Sequence, residues 1–158
     1  YGMSEHEAEQ LRQAAPMHDI GKIGIPDAVL LKPGRLNEQE YEHMKQHALI
    51  GAKILENSSS PLLQLAHKLA LEHHEKWDGT GYPYGLKGEE ISIEGRIVTI
   101  ADVFDALTSK RPYKKAWSVE EAIDLLKDEA GKHFDPQLID LFIGQIDSII
   151  EIKNTYSN

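Results

Sequence analysis

The sequence predicts an all-α fold, a compact bundle of about six helices. Apolar residues recur three and four positions apart in several segments, the spacing that places them on one face of a helix. No segment alternates polar and apolar residues as a half-buried strand does. Residues that cap helices stand just before the apolar segments. At 158 residues the chain has the length of one domain, and we expect residues 1–158 to form a single domain.

Six helices are predicted, each with its own start or stop signal. They span residues 4–21, 37–55, 61–74, 94–109, 118–131 and 135–152. Ser4, Asn37 and Ser118 are each followed three positions later by Glu, which is the sequence of a capping box. Pro16 is expected to kink the first helix before Gly21 ends it.

The remaining helices are indicated by proline, aspartate and apolar spacing. Pro61 suits the first position of the third helix, and Asp135 followed by proline caps the last one. The fourth helix carries an apolar stripe formed by Ile97, Ile100, Ala101, Phe104 and Leu107. Residues 24–35 and 76–90 are predicted to be loops. The second loop is long and rich in glycine, and loops of that length inside compact domains are more often functional than idle.

Composition and charge exclude several classes of protein. The chain has no cysteine, so disulfides and thiolate metal sites are excluded and any metal must be held by His and carboxylates. A net charge of -9 argues against binding of long nucleic acid, which needs basic surface stripes. No apolar run approaches the ~18 residues of a transmembrane helix and no signal peptide is recognisable. We therefore expect a cytoplasmic protein without membrane contact.

Two adjacent histidines followed directly by the glycine-rich loop are the strongest sign of chemistry. His73 and His74 end the third predicted helix. Buried imidazoles need partners for their ring nitrogens, and metal ions satisfy this need. Neighbouring positions on a helix point about 100° apart, so the pair would serve two adjacent metals more easily than one. Taken alone, the pair could also end the helix by bonding to backbone carbonyls.

Six residues in all are candidate metal ligands, each near the end or on the inner face of a predicted helix, where bundles build metal sites. They are His18, Asp19, His47, His73, His74 and Asp102. Four imidazoles and two carboxylates suit iron, manganese, nickel or zinc rather than calcium or magnesium. Asp19 is well suited to bridge two ions. Ions about 3.5–4 Å apart would lower the pKa of a bridging water, so that hydroxide exists at neutral pH.

Basic residues are concentrated at one turn of an otherwise acidic chain. Four of the 17 Lys and Arg residues fall within residues 110–115, which indicates a local anion site, although a merely solvated turn is the alternative. Arg111 can bind a phosphate or a guanine edge bidentately, and Lys114 can act as a point charge on a phosphate. Lys22, one turn after His18, could stabilise charge on the phosphoryl oxygens or protonate the leaving alkoxide. We favour charge stabilisation because it needs no pKa shift.

The other histidines have simpler interpretations. His43 lies one turn before His47, and we expect it at the surface or behind the ligands. His6 and His67 are expected to be ordinary solvated or capping residues. His133 is expected to fix the turn before the last helix.

Three strings, HDIGKIGIP, HHEKWDGTGYP and IADVFDALTSKRPYKKA, resemble the HD-GYP branch of the HD metal-dependent phosphohydrolases. The intervals between successive candidate ligands are also similar to those of that family, and the resemblance covers about residues 11–141. It implies an all-helical, HD-like domain that hydrolyses the bacterial second messenger cyclic di-GMP to pGpG and on to GMP. The family's two- or three-metal centre usually contains iron or manganese.

The resemblance also implies a role for each motif residue. The six candidate ligands would bind the metals, and Asp19 and Lys22 would be catalytic, with Lys22 beside the scissile phosphate. The substrate would be contacted by Tyr82, Arg111 and Lys114. Gly79 and Gly81 could be simple turn formers, but they also allow a pocket wall to approach a ligand closely.

Three-metal members of the family carry an earlier helix that donates a Glu and a His, and this chain begins at Tyr1, after that helix. We therefore expect two metals rather than three. We also expect an N-terminally truncated fragment of a longer signalling protein, linked to an N-terminal sensory or receiver domain. The missing helix would leave an apolar groove that a second copy could fill, which makes a homodimer possible.

Three functions are compatible with the sequence. The first is a metal-dependent cyclic di-GMP phosphodiesterase. The second is a catalytically weak or inactive module that senses cyclic di-GMP or docks a partner protein. The third is an HD phosphohydrolase that acts on another nucleotide or cyclic dinucleotide. Binding without turnover would favour the second, and a panel of substrates would separate the third from the first.

Overall fold

The computed structural model describes residues 1–111 and 114–156, and within these ranges it contains helices but no β-strand. Its α-helices are α1 (Glu5–Ala14), α2 (Asp27–Leu30), α3 (Glu38–Ile54), α4 (Pro61–Glu72), α5 (Ile93–Thr108), α6 (Val119–Asp128), α7 (Pro136–Gly144) and α8 (Ile146–Tyr156). Short 3-10 helices span Ala15–Met17, Ile20–Gly24 and Gly88–Glu90. The all-α prediction is confirmed. None of the described helices is long and apolar enough to span a bilayer.

Capping groups set the starts of the main helices, as predicted. Ser4, Asn37 and Ser118 each accept the backbone N–H three residues on, and the Glu at that position bonds back to the cap. These boxes satisfy N–H groups that no helical carbonyl can reach. Pro61 occupies the first turn of α4, and the Asp135 carboxylate accepts N–H groups from the first turn of α7.

The helices differ from the prediction at three places. α1 ends at Ala14 instead of continuing to Gly21, because Pro16 has no N–H to donate and the chain tightens into 3-10 turns. The predicted loop 24–35 contains the single turn of α2. The last predicted helix is two helices, separated just after Gly144, a residue of low helix propensity. The second and third differences raise the number of helices in the described residues from about six to eight.

α5 packs against both halves of the molecule. On one side, Phe104 joins Leu126 of α6 and Ile139 of α7 in a buried apolar cluster. On the other side, Val98 joins Leu69 of α4 and the buried side chains of α1. Burial of one such side chain contributes about 1.5–3 kcal/mol. The two clusters therefore fix α5 firmly, and with it the carboxylate that this helix presents to the site.

The His-Asp segment, residues 15–24, lies against α3 through glycine. A Cβ on Gly21 would stand 1.9 Å from the carbonyl oxygen of His47, far inside van der Waals contact. A Cβ on Gly51, one turn further along α3, would stand 3.2 Å from the backbone nitrogen of Gly21. Residues without side chains thus allow two backbones to touch. This contact brings the His-Asp segment next to the imidazole of His47.

An apolar groove of about 360 Å³ lies between α5 and the last two helices. Phe104, Phe142, Ile149 and Ile152 form part of its lining. Ile152 is 60% exposed, so the groove is open to a partner. The homodimer expected from the sequence, over a groove left by an earlier helix, stays a prediction.

Candidate metal centre

Imidazole and carboxylate groups from three parts of the fold meet in the interior. One ligand atom from each of Asp19, His47, His73 and His74 lies within 4.8 Å of the other three. His47 and His73 are only 1% and 2% exposed. The four residues come from the His-Asp segment, from α3 and from the C-terminal end of α4, where His73 is the cap residue.

The other two candidate ligands border this group. Nε2 of His18 lies 3.4 Å from Oδ2 of Asp19 and 3.5 Å from Oδ1 of Asp102, which α5 contributes. The structure therefore brings all six candidate ligands into one cluster.

The rings of His18, His47 and His73 are held in the same way. In each ring Nδ1 lies within hydrogen-bonding distance of a backbone carbonyl in the preceding turn, and because a carbonyl only accepts, Nδ1 carries the proton. The acceptors are the oxygens of Ala15 at 2.6 Å, Met44 at 2.5 Å and Leu69 at 2.9 Å. In the neutral rings Nε2 then bears a lone pair and points into the cluster.

The Nε2 atoms of His47 and His73 are only 3.2 Å apart. Two lone pairs at this distance repel each other unless a proton or a cation lies between them. Two more polar atoms, Nε2 of His18 and Oδ1 of Asp19, are buried without a hydrogen bond among the described residues. Buried polar atoms are normally satisfied. This donor set fits a transition metal, whose ligands are unprotonated imidazole nitrogens and carboxylate oxygens.

Asp19 divides its two oxygens between two sets of partners. Oδ1 lies 3.4 Å from Nε2 of both His47 and His73. Oδ2 lies 3.4 Å from Nε2 of His18 and 2.6 Å from Nζ of Lys22. A carboxylate that faces imidazoles on each of its oxygens has the arrangement needed to bridge two ions.

Electrostatics keep the carboxylates of the cluster ionised. Burial opposes ionisation of Asp19, but the surrounding histidines and Lys22 outweigh it and hold the pKa far below its usual range. Burial also opposes ionisation of Asp102, and the neighbouring His18 lowers its pKa nevertheless. For His18 itself, the effect of burial is outweighed by Asp102 and Asp19, which raise its pKa to about 10. The cluster thus attracts positive charge strongly.

His74 differs from the other three histidines. Burial lowers its pKa to about 3, and the nearby rings of His73 and His47 act in the same direction. The His74 ring is therefore neutral at physiological pH and has a lone pair available for a metal.

The glycine-rich loop, residues 76–90, is anchored directly behind the histidine pair. The carboxylate of Glu75 is 1% exposed and accepts the backbone N–H groups of Tyr84 at 2.7 Å and Leu86 at 3.0 Å. Burial raises the pKa of this carboxyl, and the two N–H groups oppose the shift. A Cβ on Gly81 would stand 2.5 Å from the carbonyl oxygen of His74, so only glycine permits this close approach.

Tyr82 lies over the cluster. Its N–H donates to the carbonyl of His74 at 3.2 Å, and its ring stacks on the His74 ring with centroids 4.8 Å apart and planes inclined by 18°. Gly79 has a φ of +84°, which L-residues with side chains rarely adopt. The loop thus forms a wall beside the cluster.

Two residues of the basic turn were predicted to bind the substrate. Arg111 and Lys114 pair through their backbones, with N–O distances of 3.2 Å, and both are exposed. The Lys114 ammonium lies 5.3 Å from the ring centroid of Trp117. Among the described residues, neither side chain forms an ion pair or hydrogen bond with the cluster. Residues 112 and 113 of this turn lie outside the described ranges.

The remaining histidines lie apart from the cluster. His6 and His43 are exposed. Nδ1 of His67 lies 2.9 Å from the carbonyl oxygen of Ala52. His133 precedes α7, and its carbonyl accepts the N–H of Trp77.

Four residues at the site were not found from the sequence. Glu75 anchors the loop, and the hydroxyl of Thr99 donates to the carbonyl of His73 at 3.1 Å, which ties α5 to the histidine pair. Tyr41 and Lys45 of α3 contact the Tyr82 ring. Their spacing of four residues puts them on one helix face, and this was the only available sequence signal for the pair.

Comparisons with known proteins agree on one family. The sequence profile described as HD domain matches residues 1–138. The chain is 54% identical over 142 residues to a cyclic di-GMP phosphodiesterase of Thermotoga maritima, which covers 90% of this chain and 39% of the relative. It is 47% identical over 153 residues to 3'3'-cGAMP-specific phosphodiesterase 2 of Vibrio cholerae, covering 97% of this chain and 29% of the relative.

A third relative is named a cyclic di-GMP phosphodiesterase response regulator, from Xanthomonas campestris; it is 51% identical over 142 residues, 90% of this chain and 38% of the relative. The chain thus spans well under half the length of these curated relatives. A crystal structure of a cyclic GMP-AMP specific phosphodiesterase from Vibrio cholerae matches with a TM-score of 0.68 and 21% identity, covering 99% of this chain and 42% of that one. This structural likeness supports the fold. By its sequence and its fold, the chain belongs to the HD domain family.

Proposed function

We propose that this chain is a metal-dependent phosphodiesterase domain that hydrolyses cyclic di-GMP to pGpG and GMP. The observation that carries the proposal is the pair of Nε2 atoms of His47 and His73, 3.2 Å apart and both oriented to bind a cation. The names of relatives at 47% to 54% identity support a cyclic dinucleotide as the substrate.

The proposed metal ligands are the six residues of the cluster, His18, Asp19, His47, His73, His74 and Asp102. Two divalent transition-metal ions fit this set of imidazole and carboxylate donors, and we propose iron or manganese before nickel or zinc because the resemblance to the HD-GYP branch implies them. We assign no third ion. When bound, such ions supply Lewis acidity toward a phosphate and activate water as a nucleophile.

The chain's own residues bind and orient the substrate. We assign to Lys22 the stabilisation of charge on the phosphoryl oxygens, because its ammonium stands next to Asp19 and its side chain is 40% exposed. Tyr82 offers a ring above the cluster, and Gly79 and Gly81 allow the loop to form a close wall. Arg111 and Lys114 would bind the second phosphate or a guanine edge from the basic turn.

A second substrate is favoured by a specific observation. One relative that covers 97% of this chain is named as 3'3'-cGAMP-specific. The same cluster and the same lysine would serve the phosphodiester of 3'3'-cGAMP, because the two dinucleotides differ in one base and not in the linkage.

The experiment that tests the function is product analysis with metal-loaded protein. Cyclic di-GMP and 3'3'-cGAMP are incubated in parallel with the wild type and with His73→Ala, and the metal content of both proteins is measured by elemental analysis. We expect linear dinucleotide and mononucleotide products from the wild type only. Binding of the dinucleotide without turnover, by the full-length protein as well, would reject hydrolysis in favour of a sensing module.

We also propose that the chain is one domain of a longer cytoplasmic signalling protein, with a sensory or receiver domain preceding it. The chain spans 29% to 39% of three relatives, one of which is named a response regulator. The apolar groove beside α8 would allow a homodimer. Light scattering of the wild type and of Ile152→Asp would test this, since a charge in the groove should dissociate such a dimer.

A further inference from the structure

We propose that Tyr41 and Lys45 of α3 form, together with Tyr82, a binding corner for a guanine base of the substrate. The inference rests on the proposed function, because it names the part of the cyclic dinucleotide that this surface binds. Neither α3 residue belongs to the metal cluster.

The corner stands directly beside the cluster. The Tyr82 ring stacks on the His74 ring. Tyr41 meets Tyr82 edge to face, with centroids 6.4 Å apart and planes inclined by 84°. Two perpendicular aromatic rings form a concave corner in which a flat base can stack on one ring and touch the edge of the other. A base in this corner would lie beside the phosphodiester at the cluster.

A cation already occupies the corner. The Lys45 ammonium lies 5.4 Å from the centroid of Tyr41 and 5.6 Å from that of Tyr82. The Lys45 side chain is 24% exposed, so its cation–π contacts are only partly desolvated, whereas stacking of a base on an aromatic ring is at least as strong and tolerates any base. An incoming base can therefore displace the ammonium from the ring faces. The flexible lysine remains close enough to bond to the edge of that base.

The exposure of Tyr41 argues against a role in the core. Its side chain is 48% exposed, and it belongs to neither of the two buried apolar clusters. A large exposed aromatic next to a catalytic cluster has apolar area available for a ligand.

The polar groups of the corner favour guanine over adenine. Lys45 pairs with Glu42 at 2.5 Å, so a donor and an acceptor stand side by side next to the rings. Guanine presents the acceptors O6 and N7, which suit the ammonium, and its N–H groups suit a carboxylate. Adenine places an amino group where guanine has O6, and an amino group cannot accept from lysine.

The test compares variants of Tyr41 and Lys45 with matched controls. Tyr41→Ala, Tyr41→Phe and Lys45→Met are prepared as metal-loaded proteins. The controls are Tyr156→Ala, which removes a tyrosine at the end of α8, and Lys53→Met, which removes the same charge from the same helix. KM and kcat are measured with cyclic di-GMP, cyclic di-AMP and methyl p-nitrophenyl phosphate, a diester without a nucleobase. Binding of GMP is measured by calorimetry.

Tyr41→Ala should raise KM for cyclic di-GMP roughly 5- to 150-fold, the range for loss of one base–aromatic stack, and should leave hydrolysis of the p-nitrophenyl diester unchanged. Tyr41→Phe should behave as the wild type, because it keeps the ring. Lys45→Met should raise KM for cyclic di-GMP more than KM for cyclic di-AMP. Equal losses with both dinucleotides in Lys45→Met, or an unchanged KM for cyclic di-GMP in Tyr41→Ala, would overturn the inference.

The two proposals fail in different ways. If the wild type hydrolyses no cyclic dinucleotide, the proposed function is rejected. The measurement of GMP binding then still tests whether the corner binds a guanine base. Weaker GMP binding by Tyr41→Ala than by the wild type and Tyr156→Ala supports the corner, and equal binding by all three overturns it.

Discussion

The Lys22 ammonium lies 2.6 Å from Oδ2 of Asp19, while the other oxygen of that carboxylate faces His47 and His73. The Asp19 side chain thus joins the candidate metal-binding side of the cluster to the positive charge of a lysine whose side chain is 40% exposed. An anionic phosphate that reaches the cluster meets this charge at once. The lysine can therefore act on the substrate without being a ligand.

Replacing Lys22 by Met should lower kcat by about 10²- to 10³-fold, the usual cost of losing one group that stabilises transition-state charge. The metal content should stay that of the wild type, because the cluster keeps all six donors. The measurement is steady-state kinetics together with elemental analysis. Lys32→Met, which removes an ion pair with Glu40 elsewhere, is the control. Loss of metal in parallel with kcat would contradict this role for Lys22.

Removal of the metal should destabilise the wild-type protein. The ions bind the folded state only, and a ligand at 100 times its Kd contributes about 2.7 kcal/mol. A chelator should therefore lower Tm, and added Mn²⁺ should restore it. His73→Ala should show no such metal-dependent shift, whereas His43→Ala, at an exposed position one turn before His47, should behave as the wild type. A wild-type Tm that does not depend on metal would show that protons, and not metal ions, bind the buried nitrogen and oxygen atoms of the cluster.

Gly21→Ala should destabilise the fold by about 3 kcal/mol or more, because the added methyl overlaps the backbone of His47 and a helix must move. Gly144→Ala is the matched substitution in open space, since no atom lies within 4 Å of the position that its methyl group would take. It should be neutral or stabilise the end of α7 by up to about 1 kcal/mol. Urea denaturation of both variants measures the difference. Equal stability of the two would show that the His-Asp segment can shift freely on α3.

The stability of the fold should depend on His133 at mildly acidic pH. Burial lowers the pKa of its ring to about 4, with Lys76 acting in the same direction and Asp78 opposing. Between this value and the ordinary pKa of about 6.5, the unfolded chain binds a proton that the folded chain does not. The folded state therefore loses stability as pH falls from about 6.5 toward 4, and this group has no effect above that range.

His133→Gln should reduce this pH-dependent loss. The measured quantity is the difference between wild type and variant in the free energy of unfolding, followed by urea denaturation across the same pH range. His6→Gln, at an exposed position, should follow the wild type. A constant difference at all pH values would mean that the ring acts through packing alone.

The features that were predicted correctly depend on residue type or on residues close together in the sequence. Capping boxes such as Ser4 with Glu7 depend on residues three positions apart, and the structure contains them as expected. The candidate ligands were identifiable because metal chemistry restricts residue type, and the fold places them in one cluster. Their function as ligands stays a prediction.

The early end of α1 beside Pro16 and the break after Gly144 have local causes, but such residues only weaken a helix and do not decide where it stops. Contacts between distant segments account for the site residues that were missed. Thr99 is 26 positions from His73, whose carbonyl it bonds, and no local pattern reveals such a pair. Tyr41 likewise meets the ring of Tyr82, 41 positions further along the chain.

The anchoring of the glycine-rich loop by Glu75 has a consequence for recognition. The loop is also bonded to the turn before α7, where the N–H of Trp77 donates to the carbonyl of His133. Fixed at both places, it is a rigid wall rather than a lid, and little conformational entropy is lost when a ligand binds against it. Discrimination between bases then depends on the side chains around the wall. We therefore expect single exchanges on α3 to change base preference while the six candidate ligands stay in place.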